Sequence, residues 1–362
     1  MSGPLALFFG TRPQVIKASV LREALAAAGP PPVVAVDTGQ HYDYDLHQVH
    51  YDQLGVRAPD AYLGVGSGSH ARQTAAILTA CEDWIAANRP RAAIVIGDTN
   101  STLACALAAA KSRVPVAHVE AGLYAADRLM AEEINRRAVD AVAEVLFAPC
   151  ERVAARLRRR YPDAEVEAVG DVAYDVLRRA LDKAPRPRTV HGYDPAWGRR
   201  FVFVTLHRAE LVEDPTRLKA VMDGLAASPL PCLFAAHPRT GAALERLGYQ
   251  ADGSVRLVAP VGYLETIALV RQAVAVVTDS GGVQREAYWL GVPCITVRDE
   301  TEWLETVECA ANRLVAPRLG ATLPAAIAAA AATTDAGTRW DPGAYGDGHA
   351  AERIAGILSQ RF

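Results

Sequence analysis

Lysine is scarce in this chain of 362 residues, four against 34 arginines, so Lys17 stands out early. A basic excess is missing as well: Lys and Arg number 38 against 41 Asp and Glu, for a formal net charge of -3. That balance argues against a polynucleotide-binding face, and the arginine-rich residues 156–160 read as a solvated helix end. The six cysteines contain no C-x-x-C pair, which removes the usual thiolate metal and redox motifs and suits reduced core thiols. No metal site and no cofactor are expected. Long apolar runs are also lacking. Residues 5–9 are too short for a signal-peptide core and have no basic flank, and the alanine-rich residues 321–334 are broken by Pro324. A cytoplasmic protein without a membrane partner is the expectation. What is present is ordinary globular material, 51% hydrophobic, enough for two domains.

Short β-rich runs alternate with Ala/Leu-rich helical stretches, the pattern of βα units on a parallel sheet. In the first half the runs are residues 5–9, 33–36, 93–96, 115–119 and 145–148. In the second they are 201–206, 232–235, 255–258, 273–277 and 294–297. The predicted organisation is α/β: a doubly wound Rossmann-like domain over 1–183, a proline-bearing linker over 184–200, a second such domain over 201–344, and a C-terminal helix over 345–362 that packs back on the first domain. Ligands of such sheets bind beyond the carboxyl ends of the strands, so the residues just after each strand are the candidates.

The segment Thr278-Asp-Ser-Gly-Gly-Val-Gln-Arg-Glu286 is the most informative of these. Ser280, Gly281 and Gly282 form a turn between an apolar strand and a helix, where open N–H groups at the helix start suit a phosphate. Glu286, between one and two turns into the helix, could face a ribose diol. An ordinary βα turn is the alternative. After the first strand, Gly10-Thr-Arg-Pro13 and Lys17 suggest a second anion site: Thr11 caps a helix with Pro13 at its first position, and Arg12 and Lys17 bring cations to an end where cations are otherwise unfavourable. Asp98 and Glu120 each follow a probable central strand. Two carboxylates there could divide acid and base roles if burial and mutual repulsion separate their pKa values. Asp98 reads equally well as a helix cap; Glu120 has no helix to cap. Glu132 with Arg136 and Glu133 with Arg137 have the spacing of i,i+4 pairs, for which a structural reading suffices. His207 and His237 each follow a strand of the second domain, where a histidine is either a structural hydrogen-bonding group or a site residue.

Taken in order, Gly10-Thr-Arg-Pro-Gln-Val-Ile-Lys17, Thr38-Gly-Gln-His-Tyr42, Gly97-Asp-Thr-Asn-Ser-Thr102, His118-Val-Glu-Ala-Gly122, Glu132-Glu-Ile-Asn-Arg136, His207-Arg208, Asp279-Ser-Gly-Gly-Val-Gln284 and Arg298-Asp-Glu-Thr-Glu302 resemble the UDP-N-acetylglucosamine 2-epimerase family over nearly the whole chain. The resemblance implies a GT-B-like fold with the active site in an interdomain cleft. It implies that Ser280, Gly281 and Glu286 hold the diphosphate and ribose of UDP, with Arg12 and His207 near the phosphates. The family's acid/base candidates match Asp98, Glu120 and Glu132, and its helix arginine matches Arg136. The implied partner is a UDP-sugar, and family members are often homodimers.

The implied chemistry is anti elimination of UDP to a 2-acetamidoglucal, then re-addition of UDP with inversion at C2. In hydrolysing relatives water adds instead. A carboxylate must take the weakly acidic C2 proton while cations and helix N-termini absorb the charge on departing UDP. The sequence departs from the family pattern at Tyr124, where Arg usually follows Gly-Leu, at Ala131, which replaces Pro, and at Leu211, which replaces Asn. Asp43 does not match the allosteric second site of some members, so allostery is not expected. A GT-B glycosyltransferase and a non-catalytic UDP-sugar-binding protein stay open as alternatives.

Overall fold

The computed structural model describes residues 3–40, 56–125, 127–251, 253–335 and 340–362. His41, Tyr42 and Asp43 lie outside the described residues. The chain forms two compact units, Met1–Arg178 with Gly343–Phe362, and Arg179–Pro342.

Among the described residues the first unit carries seven strands: β1 (Leu5–Phe9), β2 (Val33–Asp37), β3 (Ala61–Tyr62), β4 (Ala92–Ile96), β5 (Val116–Val119), β6 (Val145–Ala148) and β7 (Glu165–Ala168). They lie in the order β3-β2-β1-β4-β5-β6-β7, and every pairing is parallel. The second unit has six: β8 (Val202–Thr205), β9 (Cys232–Ala235), β10 (Val255–Val258), β11 (Ala275–Thr278), β12 (Cys294–Thr296) and β13 (Asn312–Leu314), in the order β10-β9-β8-β11-β12-β13, also parallel. In both, the first and fourth strands of the series lie side by side, with Leu5 opposite Ala92 and Val202 opposite Ala275. The chain leaves these neighbours in opposite directions, which opens a crevice past their carboxyl ends.

Strands covered by helices on both faces must be apolar throughout, as in β4, whose Ala-Ala-Ile-Val-Ile run is wholly buried. The edge strands β3, β7 and β13 escape that requirement. β7 reads Glu-Val-Glu-Ala with only its valine buried, which is why no apolar run announces it. β11 starts two residues later than the run 273–277 suggests, because Ala273 is the C-cap of the helix Tyr263–Gln272.

Residues 184–200 are not an open linker. Val190 is buried in a core cluster of the second unit, and Tyr193 and Trp197 pack against that cluster. The Trp197 ring stacks on Phe201 with centroids 5.9 Å apart. Their burial offsets the entropy cost of ordering a segment rich in proline and charge. At the other end, the helix Ala350–Arg361 packs on the helix Arg12–Ala27. Its first N–H groups, those of Ala350 and Ala351, donate to the Asp175 carboxylate at 3.2 and 2.9 Å.

The buried residues of the helix Asn100–Lys111 are all small, four of the eight being alanine, which lets the helices His70–Asn88 and Ala131–Val142 approach it closely. Among the described residues no helix is long and apolar enough to cross a membrane.

All six cysteines are free, and only Cys309 is exposed. Burial pushes the Cys232 thiol up to about 11 and the Cys294 thiol up to about 12. A thiol reagent at neutral pH is therefore expected to label Cys309 at once and the other five only on unfolding. Rapid labelling of more than one thiol in the native protein would contradict this core.

Candidate functional site

In the first unit, β1 delivers Gly10 and Thr11 into the helix Arg12–Ala27. A Cβ on Gly10 would lie 2.0 Å from Thr38 Oγ1 and 2.2 Å from Ser101 Oγ, so only glycine fits between those hydroxyls. Pro13 occupies the second helical position, not the first, and the side chain that reaches back over the turn is that of Gln14. Its Oε1 accepts from the N–H groups of Gly10 and Thr11 at 3.0 and 3.2 Å. Its Nε2 donates to the Ile96 carbonyl at 2.6 Å and lies 3.0 and 2.9 Å from the Thr99 and Thr102 hydroxyls. One buried amide thus joins the turn after β1 to the turn after β4. Arg12 is exposed at this end, and among the described residues no carboxylate pairs with it; partial burial lowers its pKa from the usual value.

Asp98 follows the β4 turn, yet it does not cap the next helix. Thr99 holds the N-cap position and its Oγ1 accepts from the Thr102 N–H. The Asp98 carboxylate instead meets the Arg136 guanidinium. Arg136 also reaches Glu133 at 3.1 Å, and Arg137 reaches Glu133 at 2.9 Å. The Glu132–Arg136 pair anticipated from i,i+4 spacing does not form, because Arg136 turns inward to Asp98; Glu132 stands exposed on the first turn. Burial works against the charge on Arg136, but the surrounding carboxylates of Asp98, Glu133, Asp140 and Glu120 outweigh it and raise its pKa.

Glu120 leaves β5 with φ +66°, a left-handed conformation uncommon for a residue with a side chain. The Ala121 N–H to Phe147 carbonyl bond at 3.1 Å and the Gly122 N–H to Asp140 bond at 3.1 Å hold it there. The bend lays the Glu120 carboxylate over Gly97, where an added Cβ would come within 3.4 Å of Oε2. Lys17 meets the same carboxylate at 2.5 Å. Lys17 is therefore engaged with Glu120 and does not extend an anion site beside Arg12. Each of Asp98 and Glu120 is thus paired with a cation, Arg136 and Lys17.

In the second unit the fully buried Asp279 ties the end of β11 to the end of β8. Its carboxylate accepts from the backbone N–H groups of His207 and Arg208 at 2.9 and 2.8 Å, and His207 Nδ1 lies 3.2 Å away. The imidazole stays partly exposed. His237 lies close, with ring centroids 6.1 Å apart, but its Nδ1 accepts from the Arg239 N–H and caps the helix Pro238–Arg246. Its structural role is thereby accounted for.

Ser280 is the N-cap of the helix Gly281–Trp289, with Val283 donating to its hydroxyl at 3.5 Å. Among the described residues the N–H groups of Gly281 and Gly282 donate no hydrogen bond. A Cβ on Gly281 would come within 2.9 Å of Glu302 Oε1 and 3.1 Å of Trp303 Nε1, so these two side chains press against the helix start. Arg285 lies 4.1 Å above the Trp303 ring. Burial alone would raise the Glu302 pKa, but Arg298 at 2.9 Å and the charge of Arg208 bring it below the ordinary value. The carboxylate of Glu286 takes a hydrogen bond from the Tyr263 hydroxyl, whose pKa burial and then the Glu286 charge push up.

The structure thus gathers Lys17, Asp98, Glu120 and Arg136 about one turn of the first unit, and His207, His237 and the Ser280 turn about one crevice of the second. The expected Glu133–Arg137 pair forms, whereas sequence reasoning assigned no individual role to Gln14, Tyr263, Asp279 or Glu302. Asp279 and Glu302 sat within quoted motifs, and their position beside His207 and Gly281 was the available signal. Replacing Asp279 with Ala leaves two backbone N–H groups without their acceptor, so denaturant unfolding should show a loss of about 1–3 kcal/mol. An unchanged midpoint would deny these hydrogen bonds.

Comparison with known proteins gives a family match. The family model for UDP-N-acetylglucosamine 2-epimerase matches residues 24–359. A Pseudomonas aeruginosa protein named UDP-2,3-diacetamido-2,3-dideoxy-D-glucuronate 2-epimerase is 40% identical over 97% of this chain and 98% of its own length. The UDP-N-acetylglucosamine 2-epimerase of Methanocaldococcus jannaschii is 36% identical over 98% of both chains. Its crystal structure in complex with UDP-GlcNAc and UDP superposes with a TM-score of 0.85 at 35% identity, covering 99% of each chain.

Proposed function

We propose that this chain, which belongs to the UDP-N-acetylglucosamine 2-epimerase family, inverts C2 of UDP-N-acetylglucosamine or a close derivative through elimination and re-addition of UDP. The observation that carries the reading is the pairing of Asp98 with Arg136 and of Glu120 with Lys17 about the β4 and β5 turns. Abstraction of a weakly acidic C–H needs a carboxylate fixed in direction, and each pair fixes one. Glu132, exposed one turn before Arg136, is the third proton-transfer candidate. In the second unit the N–H groups of Gly281 and Gly282, with the partly exposed His207, suit the diphosphate, where charge grows as the C1–O bond breaks. Glu286, oriented by Tyr263, suits the ribose hydroxyls, and Arg12 supplies a further cation for phosphate.

The sugar has two readings. The M. jannaschii relative is named for UDP-N-acetylglucosamine, whereas the P. aeruginosa relative, at 40% identity, is named for a 2,3-diacetamido glucuronate, which favours a derivative. Both nucleotides should be incubated with the enzyme in deuterium oxide and followed by NMR. Deuterium at C2 with a manno-configured UDP-sugar product is expected from at least one of them. Free 2-acetamido sugar with stoichiometric UDP would move the assignment to the hydrolysing reaction, and no C2 exchange from either would sink elimination altogether. Glu120→Gln should slow C2 exchange by about 100-fold or more while UDP still protects the protein against thermal unfolding.

A further inference from the structure

His118 and Asp140 have no part in the chemistry described so far. His118, on β5, is fully buried, and both ring nitrogens face acceptors. Nε2 lies 2.7 Å from the Gly97 carbonyl and Nδ1 lies 2.7 Å from Asp140 Oδ1. A carbonyl only accepts, so Nε2 carries a proton and donates it. A second proton lies between Nδ1 and Oδ1, since two lone pairs at that distance repel. Asp140 Oδ2 accepts in turn from the Gly122 N–H at 3.1 Å and from the Tyr124 hydroxyl at 2.7 Å. Tyr124 itself lies against guanidinium groups, with Arg137 4.2 Å and Arg156 4.8 Å from its ring centroid.

This chain of bonds runs from the Gly97 carbonyl, one residue before Asp98, to the Gly122 N–H, two residues after Glu120. We propose that His118 and Asp140 form a positioning clamp that sets Asp98 and Glu120 in register for proton transfer. Neither clamp residue is bonded to those carboxylates; both act through the backbone of the turns. The turn after β5 needs such a restraint, because Glu120 has left-handed backbone at φ +66°, uncommon for a residue with a side chain. The departure at Tyr124 from the family pattern also finds a place here, as the hydroxyl that holds the second Asp140 oxygen. An error of about 1 Å at a reacting group can cost about 100-fold in rate, so the clamp should be read in kcat.

The inference rests on the epimerase reading above. Two variants separate hydrogen-bond geometry from charge. Asn at position 140 can donate to Nδ1 through its amide and accept from Gly122 and Tyr124 through its oxygen, whereas Ala can do neither. With the nucleotide sugar that the wild type turns over, Asp140→Ala should lose about 10- to 100-fold in kcat with KM within about threefold, and Asp140→Asn should restore kcat to within about threefold of wild type. Full activity in Asp140→Ala, or equal impairment of both variants, would overturn the clamp. If Asp140→Ala does not fold, the histidine 15N–1H spectrum of the wild type decides. A protonated, exchange-protected His118 Nε2 is expected, and an unprotonated Nε2 would remove the link to Gly97. A wild type that exchanges no C2 hydrogen with either nucleotide would defeat the epimerase reading, and the spectrum would still judge the clamp.

Discussion

Where parallel strands end, the backbone N–H and C=O groups lose their ladder partners while still buried, and something must satisfy them. In this protein four buried side chains meet that constraint at the candidate turns. Gln14 bonds Gly10, Thr11 and Ile96 across β1 and β4. His118, with Asp140, bonds Gly97 and Gly122 across β4 and β5. Asp279 bonds His207 and Arg208 across β8 and β11. Each spans a place where sequence-distant turns meet, and Arg12, Asp98, Glu120 and His207 lie within two residues of a backbone group held in this way, or are that residue.

The arrangement explains how charge can be concentrated without loosening the turns. The side-chain exposures of Lys17 and Glu120 are 15% and 10%, and those of Arg136 and Asp98 are 12% and 27%, so neither pair is fully dehydrated. A buried pair of this kind is weak evidence for stability, since desolvation consumes much of the attraction. Its evident gain is direction: a carboxylate held by a cation points one way. The left-handed Glu120 fits the same account, as strain of about 1–3 kcal/mol persists only where neighbours over-determine the backbone.

Much of the fold was legible in the residues. Buried parallel strands must be apolar on both faces, so β1, β4, β8 and β11 announced themselves, while the edge strands β3, β7 and β13 did not. Residues 184–200 misled because proline and charge suggest solvent, and the apolar contacts of Val190, Tyr193 and Trp197 are spread among them. The candidate site was legible as residue types at strand ends, but its pairings were not. Local spacing matched Glu132 with Arg136, and the fold gave Arg136 to Asp98, 38 residues away. Lys17 looked like a companion to Arg12 and proved to be the partner of Glu120.

The sequence by itself determined the α/β class, the positions of the turns and the chemical types placed on them, because alternation, glycine punctuation and strand-end carboxylates are local properties. Tertiary structure alone decided which cation meets which carboxylate, and that Gln14, His118 and Asp279 are the stitches. Those outcomes depend on strands distant in sequence lying side by side, and no spacing along the chain encodes the direction in which a buried side chain finds its partner.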